Sequence, residues 1–352
     1  MICFHVGLHK TGSSSIQSAL NLVRHRPNLR VVLPGDSQMD SDDSLAGWIH
    51  TQPPTNEIVI SNEGFFGEAI DGYPLVQQRL AFFSEIAGEY PWRVLVFIRE
   101  PMSWLSSIYL QSLQEGAAFS AREFWELSQG EPALNPAALA ASLIDQLPEI
   151  NIRLGVMSRN QDVVKAFFDI AGLGKPPAVR SGSIRENISI SAPQGVLLQR
   201  LNSRTSATQE EKARYREFFQ SVTSESEPRL SPFDDEVQFM IRETLGRDWA
   251  QLIRGLNQSS VLGKQIVSAR DVQVGEKGPH VTDSLEDPHV EREVLRTIRR
   301  AALASDAASA RHSDSGLLPL LKNPGIVASI LYRKMNELLR RLRRNNRYQE
   351  EV

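Results

Sequence analysis

The chain of 352 residues is 41% hydrophobic and 23% charged, with a formal net charge of −3 at pH 7. This length allows one large or two ordinary domains with a sizeable core. The near-neutral balance gives no overall attraction to nucleic acid. The single cysteine, Cys3, excludes an internal disulfide framework and a cysteine-based zinc site. The sequence opens directly on an apolar strand, with no signal peptide and no long apolar run, so we expect a cytoplasmic protein.

Residues 2–17 predict a strand, a loop and the start of a helix. Residues 2–6 are apolar and rich in β-forming side chains, which is typical of a buried strand. Apolar residues from Ile16 to Val23 then recur at helical spacing. A helix start offers unpaired N–H groups and partial positive charge, to which Lys10 adds a full charge. The segment therefore predicts a phosphate or sulfate site, with an ordinary capped turn as the alternative.

A second segment joins a buried strand to a helix. Residues 93–98 are an unbroken apolar run, as expected inside a parallel sheet. Arg99 follows at the carboxyl end of this strand, where open α/β sheets bind ligands. Pro101 suits a first helical turn, and Ser107 lies about two turns further on. The planar donor fork of arginine matches phosphate oxygens, so Arg99 is a candidate phosphate ligand, with a plain surface residue as the alternative.

The rest of the chain predicts alternating strands and helices, with a polar loop at 36–44. Further strands are predicted at 29–33, 57–61 and 152–157, and helices at 74–88, 102–115, 121–129, 136–147, 160–171, 193–203, 208–221 and 232–256. The buried face expected for the last helix comprises Phe239, Ile241, Leu245, Trp249, Leu252 and Ile253. This alternation favours an α/β fold with a parallel sheet that is covered on both faces.

Two of these segments resemble motifs of sulfotransferases that use 3′-phosphoadenosine 5′-phosphosulfate (PAPS) as sulfuryl donor. The run from Lys10 to Ser14 resembles their 5′-phosphosulfate loop, K-[ST]-G-T-T, and the run from Arg99 to Tyr109 resembles their 3′-phosphate motif, R-x-P-x5-S-x-Y. The likeness covers about residues 1–256 and implies a P-loop-type parallel β-sheet flanked by helices. It also implies sulfuryl transfer without a metal to a hydroxyl or amine, on a small molecule or, as in bacterial and glycan-modifying members, on a glycan or glycolipid.

The resemblance also implies roles for individual residues. Lys10 would act in catalysis and donor binding. The implied contacts to the 5′-phosphate of the donor are Thr11, Gly12, Ser13, Ser14 and Ser15. The implied contacts to its 3′-phosphate are Arg99 and Ser107. The run 185–191 is similar to a bacterial segment, R-x-N-x-S-[LI]-S, and implies that Arg185 approaches the donor; the alternative is that this run only caps and turns the chain.

Two residues are candidates for the general base. Glu63 follows the predicted strand 57–61, in a run that resembles a Ser-x-Glu segment of bacterial relatives. His9 lies directly before Lys10 in the donor loop. We favour Glu63, although its carboxylate could instead only pair with Lys10 or Arg99 and order the pocket.

Beyond residue 256 the sequence predicts a linker at 257–288 and a helical, basic extension at 289–352. A basic amphipathic helix predicted at 325–344 would lie on an anionic membrane, bind a partner protein or pack on its own domain. Two other functions remain open: a nucleotide kinase or NTPase on the same fold, and a non-catalytic glycan-binding relative. The order of Lys10 before Gly12 counts against the first, because the Walker A lysine follows the second glycine.

Overall fold

The computed structural model describes residues 1–129, 134–157, 162–177, 190–203, 208–222 and 231–257. The chain forms two units. The first contains residues 1–108 and the described residues of 125–187 and 236–277, and the second contains residues 109–124 and the described residues of 188–235. The predicted extension 289–352, with its basic helix 325–344, lies outside the described residues, as does the linker after residue 257.

The first unit is built on a five-stranded, all-parallel sheet with the order β2-β3-β1-β4-β5. Its strands are β1 (Ile2–Gly7), β2 (Leu29–Val32), β3 (Glu57–Ser61), β4 (Trp92–Arg99) and β5 (Ile152–Met157). Every residue of the central strand β1 is buried, because a parallel sheet is covered on both faces. The predicted strands and the α/β class are confirmed.

The described part of the chain contains ten α-helices, which are distributed over the two units. They are α1 (Ser13–Val23), α2 (Asp42–His50), α3 (Val76–Ala87), α4 (Pro101–Gln114), α5 (Ala121–Gln129), α6 (Pro136–Gln146), α7 (Val163–Ala171), α8 (Ala192–Asn202), α9 (Gln209–Val222) and α10 (Asp235–Leu256). None of these described helices is both long enough and apolar enough to cross a bilayer.

Helices cover both faces of the sheet in the first unit. One face carries Cys3 and Leu95 and packs in a single hydrophobic cluster with residues of α1 and α7. On the other face Phe4 stacks on Phe83 of α3, with ring centroids 4.2 Å apart. Cys3 is 1% exposed and makes no disulfide, so its predicted place in the core is confirmed.

The prediction of a loop at 36–44 was wrong at its carboxyl end, because α2 begins there. Ser41 caps this helix, accepting a hydrogen bond from the Ser44 N–H at 3.1 Å, and Asp42 and Asp43 occupy the first turn. Their polar side chains are therefore a helix start signal, since hydroxyls satisfy the first N–H groups and carboxylates complement the helix dipole.

The buried face predicted for α10 was wrong at Phe239, which is 57% exposed. Val237, Ile241 and Leu245 are buried at intervals of four residues and define the inward face. Phe239 lies two residues from either neighbour on that stripe, about 200° around the helix, so its ring faces outward. Of the other expected residues, Leu252 is only partly buried.

The second unit packs α8 and α9 with the carboxyl-terminal part of α4. Asn202 on α8 donates its amide hydrogens to the Leu113 and Ala117 carbonyls, at 2.7 and 2.8 Å. Leu113 lies in the last turn of α4 and Ala117 three residues beyond its end, so these bonds tie α8 to the end of α4 and to the loop that follows. No residue of this unit's described part was among the predicted site residues.

Candidate functional site

The two loops that carry the predicted motifs leave neighbouring strands at the same edge of the sheet. One follows β1 and the other follows β4, and these strands pair in parallel with Gly7 opposite Phe97. From β1 the chain turns towards β2 on one side of the sheet, whereas from β4 it continues to β5 on the other. The site therefore lies at a topological switch point, where open α/β sheets have a crevice between diverging loops.

The loop after β1 is a tight turn that is braced from within. The Thr11 N–H and Thr11 hydroxyl both donate to the Leu8 carbonyl, at 3.2 and 2.5 Å. Thr11 is fully buried, so its side chain holds the turn and only its backbone is placed for a ligand. Gly12 has a φ of 88° and caps α1, and a Cβ here would lie 2.9 Å from Val163 Cγ1. Glycine is thus required by both backbone and packing.

Lys10 lies at the most strained point of this loop. Its φ of 65° is in the left-handed region, which is uncommon for a residue with a side chain. Lys10 is partly exposed, between the buried residues His9 and Thr11. Strain of this kind persists only where surrounding contacts impose it, and it concentrates at functional sites.

The beginning of α1 is suited to an anion. Gly12 provides no side-chain cap, and the first turn contains no acidic residue. The N–H groups at the start of a helix have no partner within the helix, and the dipole places partial positive charge beside them. Ser14 and Ser15 are partly exposed here.

Ser13 differs from the two serines that follow it. It is 3% exposed, and its Oγ has no hydrogen-bond partner among the described residues. A Cβ built on Gly7 would overlap Ser13 Oγ and lie 2.8 Å from Ser13 Cβ. The Ser13 side chain is therefore packed over the last residue of β1, and Gly7 is needed to make room for it.

Arg99 links the second motif to the first. Its Nη1 donates to Ser107 Oγ at 3.0 Å and to the Lys10 carbonyl oxygen at 3.3 Å. Ser107 Oγ in turn donates to the Ser103 carbonyl one turn earlier, at 2.9 Å. The two residues that the resemblance assigns to the 3′-phosphate, Arg99 and Ser107, are therefore in direct contact.

Glu100 fixes the helix that carries Ser107. Its two carboxylate oxygens accept the backbone N–H groups of Met102 and Ser103, at 2.9 and 2.8 Å. A carboxylate in this position satisfies the first donors of α4 and complements its dipole. The acid between Arg99 and Pro101 is therefore a helix cap, and it sets the start of α4 directly beside the β4 terminus.

Glu63 follows the end of β3 and lies beside the end of β1, where the loop with Lys10 begins. Its Cβ would be 3.3 Å from a Cβ built on Gly7, and the residue is partly buried. No hydrogen bond or ion pair to its carboxylate occurs within the described residues. Glu63 also acts on Tyr73: burial raises the pKa of Tyr73 well above its usual range, the His9 N–H lowers it in part, and the charges of Glu63 and Glu68 raise it further. Tyr73 thus remains a neutral phenol.

His9 is held by three side chains that the sequence did not single out. Trp104 Nε1 donates to the His9 carbonyl at 2.8 Å, and the His9 N–H donates to the Tyr73 hydroxyl oxygen at 3.2 Å. His9 Nε2 lies 3.2 Å from a carboxylate oxygen of Glu68. No pattern in the sequence predicted these contacts; the only local signal is that Tyr73 follows Gly72 in a left-handed turn, with a φ of 53°.

A second histidine, His5, lies beneath the loop and is shielded from any substrate. His5 and Ser61 occupy opposite positions on β1 and β3 and share a hydrogen bond of 2.7 Å between Nδ1 and Oγ. Both side chains are completely buried. Burial lowers the pKa of His5 to about 3, so the ring is neutral at ordinary pH and the pair is part of the core.

The remaining predictions for the site concern Arg185 and metals. Arg185 lies outside the described residues. Among the residues that are described, no group of three or more His, Cys, Asp or Glu side chains is placed to hold a metal ion. Comparison of the chain with protein-family models, with curated proteins and with solved structures gave no match.

Proposed function

We propose that this protein is a PAPS-dependent sulfotransferase. The observation that carries the proposal is the pair of hydrogen bonds from Arg99 to Ser107 and to the Lys10 backbone. These bonds join the segment that resembles a 3′-phosphate motif to the segment that resembles a 5′-phosphosulfate loop, and a donor with phosphates at both positions requires such an arrangement. A kinase or NTPase needs only the loop, and it gives no reason for the Arg99–Ser107 pair.

The reaction would be an in-line transfer of the sulfuryl group. A bond forms between the acceptor oxygen or nitrogen and sulfur, and the bond between sulfur and the bridging oxygen of the donor breaks. Negative charge grows on that bridging oxygen, which leaves as part of the 5′-phosphate. Lys10 and the N–H groups at the start of α1 would stabilise this charge, in the way that fixed donors stabilise phosphoryl transfer.

The acceptor must lose a proton during this transfer, and we assign its removal to Glu63. The carboxylate is partly exposed, has no hydrogen-bond partner among the described residues and lies at the same edge of the sheet as Lys10. His9 is the alternative base. Its Nε2 faces Glu68 and its Nδ1 is buried without a partner in the described part, so neither nitrogen is open to an acceptor.

We propose a hydroxyl or amine of a glycan or glycolipid as the acceptor, with a small molecule as the simpler possibility, and a cytoplasmic location. We propose no nucleic-acid partner, given the near-neutral charge of the chain. The basic segment 325–344 would serve for contact with a membrane surface or a protein partner.

The test is transfer of labelled sulfate from PAPS to a panel of glycan, glycolipid and small-molecule acceptors. Thermal stabilisation by adenosine 3′,5′-bisphosphate should be compared with stabilisation by ATP, since a ligand that binds only the native state raises the melting temperature. Preference for the bisphosphate with labelled product would support the proposal. Preference for ATP would favour the kinase or NTPase alternative, and acceptor binding without turnover would favour a glycan-binding protein.

A further inference from the structure

Hydrogen bonds to two aromatic side chains, Trp104 and Tyr73, hold the backbone of His9, the residue before Lys10. Neither aromatic residue is among the proposed ligand-binding residues. The His9 carbonyl accepts a hydrogen bond from Trp104 Nε1 at 2.8 Å, and the His9 N–H donates to the Tyr73 hydroxyl at 3.2 Å. The Tyr73 and Trp104 rings are stacked, with centroids 6.4 Å apart and planes inclined by 22°. Trp104 is 0% and Tyr73 2% exposed, so neither ring is available to a ligand.

These bonds act on the geometry of Lys10 itself. The His9 carbonyl belongs to the peptide group that precedes the Lys10 Cα, and Trp104 fixes its direction. The Lys10 carbonyl belongs to the peptide group that follows, and Arg99 fixes that one. Two peptide planes held on either side of one Cα set both backbone dihedrals of Lys10, including its φ of 65°. A left-handed residue with a side chain needs such support, because its Cβ lies too close to the following carbonyl oxygen.

The His9 side chain is fastened as well. A carboxylate only accepts hydrogen bonds, so His9 Nε2 carries the hydrogen that faces Glu68. His9 Nδ1 is buried and without a partner among the described residues. This arrangement suits an anchor, whereas a general base needs its lone pair in reach of the acceptor.

We propose that Trp104 is a positioning residue of the donor loop, with Tyr73 and Glu68 as its supports, and that it holds Lys10 and the following N–H groups in the geometry that grips the 5′-phosphate. This inference rests on the proposed function, because it assumes that the loop receives that phosphate. Trp104 acts through the backbone of His9 and does not touch the donor. Its indole N–H, rather than its volume, is the feature that the loop requires.

The test is Trp104→Phe, which keeps a buried ring and removes the N–H donor. The ligands are adenosine 3′,5′-bisphosphate and adenosine 3′-phosphate, whose affinities differ by what the 5′-phosphate contributes. We expect the variant to bind the bisphosphate roughly tenfold more weakly, the size of one lost hydrogen bond, and to keep its affinity for adenosine 3′-phosphate. With saturating donor, kcat should also fall, because a displaced Lys10 loses its place at the leaving group.

The matched control is Trp125→Phe. Trp125 is 2% exposed, and its Nε1 has no hydrogen-bond partner in the described part of the chain, so the same substitution removes volume alone. It should leave both affinities unchanged. Tyr73→Phe, which removes the hydroxyl that accepts the His9 N–H, should repeat the selective loss and carries the test if Trp104→Phe does not fold.

The outcomes separate the two proposals. Selective loss of bisphosphate affinity in Trp104→Phe or Tyr73→Phe supports the inference. If the 5′-phosphate raises the affinity of wild type and of both variants by the same factor, the inference is wrong. The assignment of the loop to the 5′-phosphate then still stands. Equal losses for both ligands would also overturn it, since they would indicate general damage. If wild type binds both ligands equally, the loop does not grip the 5′-phosphate, and the proposed function fails together with the inference.

Discussion

Arg99 reaches across from the end of β4 and donates a hydrogen bond to the Lys10 carbonyl oxygen in the loop after β1, at 3.3 Å. The same Nη1 lies 3.0 Å from Ser107 Oγ. One guanidinium thus connects the two motifs that the sequence places 89 residues apart. If the protein binds the proposed donor, a change at Arg99 should affect both ends of it, and Lys10 and Ser107 are the better places to test each end separately.

Lys10→Ala should abolish sulfuryl transfer while weakening donor binding much less. The charge on the leaving oxygen grows only in the transition state, so the ammonium contributes more to the rate than to ground-state binding. Loss of one such donor lowers kcat by about a hundredfold or more. Single-turnover rates and the Kd for adenosine 3′,5′-bisphosphate measure the two effects. Lys165→Ala, at an exposed lysine of α7, is the control, and near-normal turnover of Lys10→Ala would contradict the assignment of this loop.

Much of the fold could be predicted because its strands are so uniform. The central strands are buried on both faces and form continuous apolar runs, and the strand predicted at 57–61 matches Glu57–Ser61 without a shift. The start of α2 escaped prediction because Asp42 and Asp43 resemble loop residues until Ser41 is recognised as a cap. The exposure of Phe239 is not predicted by its hydrophobicity, because its angle on the helix points away from the buried stripe.

The candidate site could be predicted only where its residues belong to one local run. Arg99 and Ser107 share a strand–helix junction, so their separation in sequence determines their contact. Trp104, Tyr73 and Glu68 meet His9 only after β1, β3 and β4 have paired, and their positions in the sequence carry no signal of that closure. The sequence also could not show that Ser13 packs against Gly7.

Ser107→Ala should weaken binding of adenosine 3′,5′-bisphosphate and leave binding of adenosine 5′-phosphate unchanged. Only a contact to the 3′-phosphate distinguishes these ligands, and a hydrogen bond to a charged group is worth about 1.5–3 kcal/mol, or roughly ten- to a hundredfold in Kd. Ser106→Ala is a close control, because Ser106 Oγ donates to the Met102 carbonyl at 2.7 Å just as Ser107 Oγ donates to Ser103. Titration calorimetry provides both constants, and parallel losses at positions 106 and 107 would indicate a purely helical role.

Glu63→Gln should bind donor normally and turn over slowly. The amide keeps the shape of the side chain but cannot accept the acceptor's proton, and loss of a general base costs roughly a hundredfold or more in rate. The pH–rate profile should also lose its acidic limb. Glu57→Gln is the control, since Glu57 is exposed at the opposite end of the same strand. An unchanged rate in Glu63→Gln, with the acidic limb lost in His9→Asn, would transfer the role to His9.

Gly7→Ala should destabilise the folded protein, because the added methyl group would overlap Ser13 Oγ at the start of α1. Overpacking of this kind costs about 1–3 kcal/mol, which thermal unfolding detects as a lower melting temperature. Removing the obstructing side chain in the double variant Gly7→Ala/Ser13→Gly should recover part of the loss. Gly47→Ala is the control: a Cβ there meets nothing within 4 Å, and alanine is the better residue inside α2. Equal melting temperatures for Gly7→Ala and wild type would contradict the packing.

His5 should make the folded protein sensitive to mild acid. Burial lowers the pKa of His5 from 6.5 to about 3, and its neighbours are the Ser61 hydroxyl and the rings of Phe97 and Phe167. Below pH 6.5 the unfolded chain binds a proton at this ring, whereas the folded chain does not until about pH 3. Acid therefore favours unfolding, and the contribution of His5 to stability is complete above pH 6.5 and is lost as the pH falls towards 3.

The prediction is that the free energy of unfolding declines between pH 7 and pH 5 by about 2 kcal/mol because of this one group. Denaturant unfolding at each pH measures the decline. His5→Asn has no titratable ring, so the variant should lose less stability than wild type on acidification. At pH 7 it should be less stable than wild type. Carboxylates protonate in both proteins. The difference between their slopes of unfolding free energy against pH therefore isolates the contribution of His5. His25→Gln is the control, because His25 is exposed and its replacement should leave the wild-type slope intact. Identical slopes in His5→Asn and wild type would show that the buried ring does not remain neutral.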